Sequence, residues 1–182
     1  MLNTLAKIAE IMNGKEITWA VGGSLVLQNH GLVEEVNDID LLVAEKDIES
    51  VFNTMNSLGR RQEAEKKDIY TTKYFYKYKV GDVNVDIMGG FGVKHGEGEF
   101  NYLFDQQSIA NYITHVGELI PFTSLEDWFV IYQLLPNREY KVVLIEEYLK
   151  ESGLQNAGLL NRAVNGCLPY IVKNRIESLL NV

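Results

Sequence analysis

In the stretch NDIDLLV, Asp38 and Asp40 stand one residue apart inside an apolar run. Strand side chains alternate, so both carboxylates face one side with Leu42, while Ile39, Leu41 and Val43 face the other. Two like charges so placed raise each other's pKa unless a cation neutralises them. Hard oxygen donors at this spacing suit Mg2+ or Mn2+, the ions that bridge substrate phosphates. A solvated strand end is the plainer alternative. A third acid comes from GDVNVDIMGG, where Val83, Val85 and Ile87 alternate with Asp82, Asn84, Asp86 and Met88. Asp86 lies mid-strand between apolar neighbours, which sets it apart from Asp82 at the turn. It is either a half-exposed acid on an edge strand or a third ligand, able to accept the proton of an attacking hydroxyl.

Gly22, Gly23 and Ser24 stand just ahead of the first two acids. The glycines let backbone approach an anion, Ser24 offers a hydroxyl, and a helix starting there aims free N–H groups at phosphate. A mere tight turn is compatible with the same residues. The spacing is that of neither a Walker P-loop nor a Gly-x-Gly-x-x-Gly fingerprint.

These residues need elements to hold them. Leu5, Ile8, Ala9 and Met12 recur at helical spacing over residues 4–12, with Asn3 or Thr4 as cap and Gly14 as stop. ITWAV reads as a strand ending at Gly22–Gly23, SLVLQNH as a helix of about two turns closed by Gly31, and NDIDLLV as a strand. DIESVFNTMNSLG is a helix with Ile48, Val51, Phe52 and Met55 on one face. Residues 69–80 and 83–88 form an antiparallel hairpin through Gly81–Asp82. The glycine-rich residues 90–98 read as a loop, and one short strand is expected near 112–120. Ser124…Asp127 or Thr123…Glu126 caps a helix whose Leu125, Trp128, Phe129 and Tyr132 share a face and which Pro136 ends. Helices follow near 138–151, 154–165 and 169–180, so the last third is helical and lies on or beside the sheet.

The bulk numbers narrow the possibilities. The 182 residues suffice for one domain with a sizeable core, and 46% apolar with 23% charged residues is ordinary for a folded chain. A net charge of -8 argues against a broad nucleic-acid surface. One cysteine rules out an intrachain disulfide. The first residues lack a signal-peptide pattern and no run is long enough to span a membrane, so the cytoplasm is the expected location.

Gly22-Gly23-Ser24, then Asp38-Ile39-Asp40-Leu41-Leu42-Val43, then Asp86 in a later strand resemble the signature of the polymerase-beta-type nucleotidyltransferase superfamily. The similarity is to its small bacterial members, antibiotic adenylyltransferases and toxin–antitoxin nucleotidyltransferases, over roughly residues 1–150. It implies an α+β fold: a nucleotidyltransferase-like mixed sheet backed by helices over residues 1–120, with a C-terminal helical subdomain over 121–182. It also implies a nucleoside triphosphate and two Mg2+ at the sheet rim. Gly22, Gly23 and Ser24 would hold phosphate, Asp38 and Asp40 would pair as metal ligands, and Asp86 would activate the acceptor hydroxyl. The chain departs from the pattern where similar proteins carry Arg and Thr before the acid pair, here Glu34 and Val36. It departs again at Tyr132, where they carry Lys, and at Val142 and Ile145, where they carry Asp; Arg138 and Lys141 remain.

KKDIYTTKYFYKYKV places five lysines and four tyrosines in residues 66–80. Lys77 can reach phosphate while a tyrosine stacks on a base or acceptor; alternatively the lysines blunt a sheet edge. This strand is also a candidate dimer contact. His30, His95 and His115 share no ligand spacing with one another or with Cys167, which argues against zinc. His95, in the glycine-rich segment, is the one placed to touch an acceptor. Cys167 reads as an inert buried thiol, and Trp19 and Trp128 as core anchors.

The reaction so outlined is Mg2+-dependent transfer of a nucleoside monophosphate to an acceptor hydroxyl with release of pyrophosphate. A small-molecule acceptor is favoured, a tRNA end or a protein being open. The rival is a catalytically inactive nucleotide- or protein-binding module on the same fold. A metal-dependent phosphohydrolase ranks third, since it wants more histidine ligands.

Overall fold

The computed structural model describes residues 1–65 and 67–181. Lys66, the first lysine of the basic stretch, lies outside them. A seven-stranded mixed sheet runs in the order β3-β4-β5-β2-β1-β9-β8. It comprises β1 (Trp19–Gly22), β2 (Asp38–Val43), β3 (Arg60–Gln62), β4 (Tyr74–Val80), β5 (Val83–Gly89), β8 (Ile109–His115) and β9 (Glu118–Thr123). β2 and β5 are parallel neighbours, β1 joins β2 antiparallel, and β9 joins β1 parallel.

One sheet face is apolar because alternation sends Ile39, Leu41, Val85 and Ile87 to it, all fully buried. Helices α1 (Leu2–Gly14) and α3 (Ile48–Leu58) supply Leu5, Ile8, Met12, Val51 and Met55 to the same core. The α1 cap differs from expectation: Met1 stands at the N-cap position and no side chain caps it.

The other face is covered at one end by α4 (Leu125–Leu134), whose Trp128 lies against Gly22 and Leu42. An added Cβ at Gly22 would run into the Leu42 side chain and the Trp128 indole, so only glycine permits this approach. Thr123 Oγ1 accepts from Trp128 Nε1 at 2.8 Å and donates to the Val21 carbonyl at 3.0 Å, tying helix to strand. Ser124 caps α4, accepting from Asp127 N at 3.0 Å. Nearly every residue of α4 is buried, because α5 (Glu139–Ser152), α6 (Ala157–Val164) and α7 (Tyr170–Leu180) surround its outer side. Its two acids are satisfied rather than solvated. Glu126 accepts from Gln155 N and Asn156 N at the start of α6, and Tyr102 donates its hydroxyl to Asp127 at 2.7 Å.

Several elements differ from the sequence reading. Residues 90–98 are not a loop: β6 (Gly92–His95) pairs with β7 (Gly98–Asn101) in a separate hairpin packed toward α4. Two strands stand near 109–123 rather than one, turning at Val116 and Gly117, both with positive φ. β4 begins at Tyr74, and the strand expected from residue 69 is only an isolated bridge between Tyr70 and Val93. β3 caps the outer side of β4, so the lysine-rich strand is not a sheet edge. Cys167 is exposed, because α6 ends at Val164 and the short turn into α7 leaves its thiol at the surface. No helix among the described residues is long and apolar enough to cross a membrane.

Candidate active site

The parallel pairing of β2 with β5 decides where the acids meet. Asp40 is the register partner of Asp86, and Asp38 that of Asn84. Register partners share a face, and Asp38 lies two residues from Asp40, so all three carboxylates project from the face opposite the Ile39–Leu41 core. On the far side of β5, Lys77 is the register partner of Asp86, with Nζ 3.5 Å from Oδ2. The other oxygen, Asp86 Oδ1, is buried and has no hydrogen-bond partner.

The glycine turn sits directly on these acids. Gly23 adopts φ 64 and ψ -144, which only glycine takes up readily, and a Cβ there would occupy the Asp40 carboxylate. Helix α2 (Ser24–Asn29) follows, and Gly31 ends it at φ +72, as expected. At six residues α2 carries little macrodipole, so phosphate attraction here falls chiefly to side chains. The Ser24 hydroxyl is engaged: Lys141 Nζ donates to it at 2.6 Å while lying 5.0 Å above the Tyr132 ring.

These groups line a cleft of about 800 Å³. Its floor carries Asp38, Asp40, Asp86, Lys77, Phe75 and Met88; one wall carries Trp128, Tyr132, Arg138 and Lys141. The opposite wall is the segment between β3 and β4, through Glu63, Glu65, Lys67, Tyr70 and Thr72. Gly22 lies beneath Trp128 at the same end.

Burial disfavours the charged form of several groups in the cleft. Asp40 keeps some accessible surface but stands deep on the floor, and desolvation pushes its pKa up to about 7, with Asp38 and Asp86 adding and Lys141 and Arg138 opposing. Asp86 is raised by burial, against the pull of Lys77. Burial, and then the neighbouring Arg138, lower the Lys141 ammonium, which Asp40 and Asp38 partly offset. Among the described residues no three His, Cys, Asp or Glu side chains converge as a ready-made ion cage. The donor set still fits a hard divalent ion: three carboxylates on one face, one buried oxygen without a partner, and an acid whose charge the site does not neutralise.

Other expected residues fall elsewhere. The β4 tyrosines face away from the cleft: Tyr78 is buried and donates to Asn56 Oδ1 at 2.9 Å, and Tyr76 lies against Phe52. None of the three β4 tyrosines lines the cleft. His95 is on the β6–β7 hairpin, within 3.1 Å of the Cys167 carbonyl, and does not line this cleft. Lys141 and Tyr70 belong to it. Lys141 had a signal in sequence: it shares the buried stripe of α5 with Val142, Ile145 and Leu149, where a lysine needs a reason. Tyr70 had none, because its place depends on how residues 67–73 fold back over the sheet.

Neither a family model nor a curated protein sequence matches this chain. Solved structures do. A candidate nucleotidyltransferase of Thermotoga maritima superposes with a TM-score of 0.63 at 23% identity, covering 82% of this chain and 92% of that one. The chain has a nucleotidyltransferase-like fold. The same fold relates it to ANT(2'')-Ia, solved in complex with adenylyl-2''-tobramycin, with a TM-score of 0.56 at 16% identity over 89% of this chain and 99% of that one. It also relates it to the lincosamide antibiotic adenylyltransferase LnuA, solved with lincomycin bound, with a TM-score of 0.55 at 15% identity over 80% and 96% of the two chains. A nucleotidyltransferase-like fold accounts for the mixed sheet, its helical backing and the helices after β9.

Proposed function

We propose that this chain transfers a nucleoside monophosphate from a nucleoside triphosphate to the hydroxyl of a small-molecule acceptor, with a divalent cation. The observation that carries this reading is the Asp40–Asp86 register on adjacent parallel strands, with Asp38 on the same face and the Gly22–Gly23 turn against Asp40. Asp38, Asp40 and Asp86 would hold the ion, two Mg2+ by the resemblance. A bound Mg2+ supplies Lewis-acid withdrawal of charge from the α-phosphate.

The chain's own residues do the rest. Gly23 leaves room for the Asp40 carboxylate and Gly22 for Trp128; Lys141 and Arg138 face the triphosphate oxygens from the helical wall, and Ser24 fixes the Lys141 ammonium. The buried Asp86 Oδ1, short of a donor, is the atom suited to accept the acceptor's proton as its oxygen bonds to the α-phosphorus. The bond to the bridging oxygen then breaks and pyrophosphate leaves. Trp128, Phe75 and Phe91 limit water around the reacting phosphorus. The helices of residues 121–182 thus act as the second wall of the cleft. About 800 Å³ matches a nucleotide with a small acceptor better than a long polymer.

A binding module without catalysis is the second reading, favoured by Tyr132, Val142 and Ile145 in place of polar residues and by the spread of the acids among the described residues. Calorimetry separates the two at the first step. ATP, GTP, CTP or UTP is expected to bind with Mg2+ and to lose that binding in Asp38→Asn/Asp40→Asn. Binding that ignores both Mg2+ and the double substitution would support the module.

A further inference from the structure

Lys77 and Asp86 form an ion pair across the β4–β5 hairpin that is longer than the other pairs among the described residues. Its Nζ–Oδ2 separation of 3.5 Å exceeds the 2.7–2.9 Å of the pairs made by Lys73, Lys150 and Arg175. Lys77 is 37% exposed toward the cleft, whereas Asp86 is 14% exposed and its second oxygen is unpartnered. The pair is therefore loose at its cationic end and fixed at its acidic end. Lys79, two residues on, faces Asn84 instead, and Lys73 is taken by Glu45, so register brings Lys77 to the third carboxylate, on which Lys67 exerts only a weaker pull.

The cleft floor and wall also balance. Asp38, Asp40 and Asp86 stand against Lys77, Lys141 and Arg138. A divalent ion entering alone would leave an excess of positive charge, which a triphosphate would cancel.

We infer that Lys77 is a built-in counter-cation, a positioning residue that stands in for the divalent ion at Asp86, yields when the ion arrives and turns its ammonium to the triphosphate. The inference rests on the metal-dependent reading above. The flexible four-carbon stem and the exposed head give Lys77 this freedom, which a buried bidentate arginine would lack. Ion and triphosphate then bind cooperatively, because each relieves the charge excess that the other creates.

The probe is Mn2+, titrated by calorimetry into the parent chain, Lys77→Met and Lys77→Arg, each with and without a non-hydrolysable nucleoside triphosphate analogue. Removing the competing ammonium is expected to tighten Mn2+ binding without nucleotide by about three- to tenfold in Lys77→Met. The factor by which the analogue strengthens Mn2+ binding shrinks correspondingly, and Lys77→Arg, which keeps the charge but not the freedom to turn away, binds Mn2+ no more tightly than the parent does. Lys77→Met should also melt lower than the parent without metal and gain a larger upward shift from Mn2+, which shows that it still folds. Unchanged Mn2+ affinity with weaker analogue binding would overturn the inference and leave Lys77 a simple phosphate ligand. Weaker Mn2+ binding would overturn it as well. Mn2+ affinity indifferent to Asp38→Asn/Asp40→Asn, or no uptake by any of the proteins, would remove the metal reading itself and the inference with it.

Discussion

Asp40→Asn is expected to melt above the parent chain at pH 8 in the absence of divalent ions and, in the same protein, to lose Mg2+-dependent triphosphate binding and transfer. The two effects share one cause. Folding places the Asp40 carboxyl on a desolvated floor beside Asp38 and Asp86 and raises its pKa to about 7. For an acid raised in this way, the folded state keeps a proton that the unfolded state has already released, so stability falls as pH climbs from about 4 to about 7 and stays low above that. Asn carries no charge and escapes the penalty, a gain on the order of 2–4 kcal/mol at pH 8 and little at pH 4. Asp127, also raised to about 7 by burial, and Asp86, raised by burial, remain in the variant and keep part of the slope. Transfer should drop about a thousandfold or more, since a lost ligand to the activating ion removes several kcal/mol of transition-state stabilisation. Melting curves across pH 4–8 with and without Mg2+, beside a pyrophosphate-release assay, measure both. A variant no more stable than its parent at pH 8 would mean that Asp40 is well compensated as it stands.

Gly23→Ala is the second large effect. Alanine there must take φ 64 and ψ -144 and drive its Cβ to within 2.8 Å of Asp40 Cγ. Gly31 makes a control, because it too has positive φ, at +72, but an added Cβ would meet nothing within 4 Å. Gly31→Ala should cost about 1 kcal/mol from backbone strain alone. Gly23→Ala should cost about 3 kcal/mol or more and abolish triphosphate binding, since strain and overlap with a carboxylate add. Pairing Gly23→Ala with Asp40→Ala removes the overlap and should recover that part of the loss, leaving the backbone strain and no binding. Equal denaturation midpoints for the two single glycine variants would show that the turn does not press on Asp40.

The legible parts of this molecule are those in which one short stretch settles its own geometry. Alternation in NDIDLLV put Asp38 and Asp40 on one face, and GDVNVDIMGG did the same for Asp86 through a turn in which Gly81 takes φ +60. The helix after Ser124 followed from its cap, its stripe of Leu125, Trp128, Phe129 and Tyr132, and Pro136. What stayed hidden is long-range pairing. Nothing local says that β2 lies parallel to β5, yet that register brings Asp40 to Asp86 and Lys77 to its other side. The β6–β7 hairpin was masked because glycines at 90, 92, 96 and 98 read as loop, although two of them occupy strands. The face of the β4 tyrosines was legible as a face but not as an interior one, since only the packing of α3 decides which side is core. Lys141 meets Ser24 across 117 residues of sequence, a contact that follows from α4 and α5 closing over the sheet.

That Asp38, Asp40 and Asp86 gather around a divalent ion beneath a triphosphate is the step on which the proposed reaction depends. Anomalous diffraction from crystals grown with Mn2+ and a non-hydrolysable triphosphate tests it most directly. A manganese peak is expected at the Asp38, Asp40 and Asp86 carboxylates, with the triphosphate against it and Lys141 Nζ beside the phosphates. A triphosphate seated in the cleft with no manganese at these acids, or manganese bound elsewhere on the chain, would contradict it.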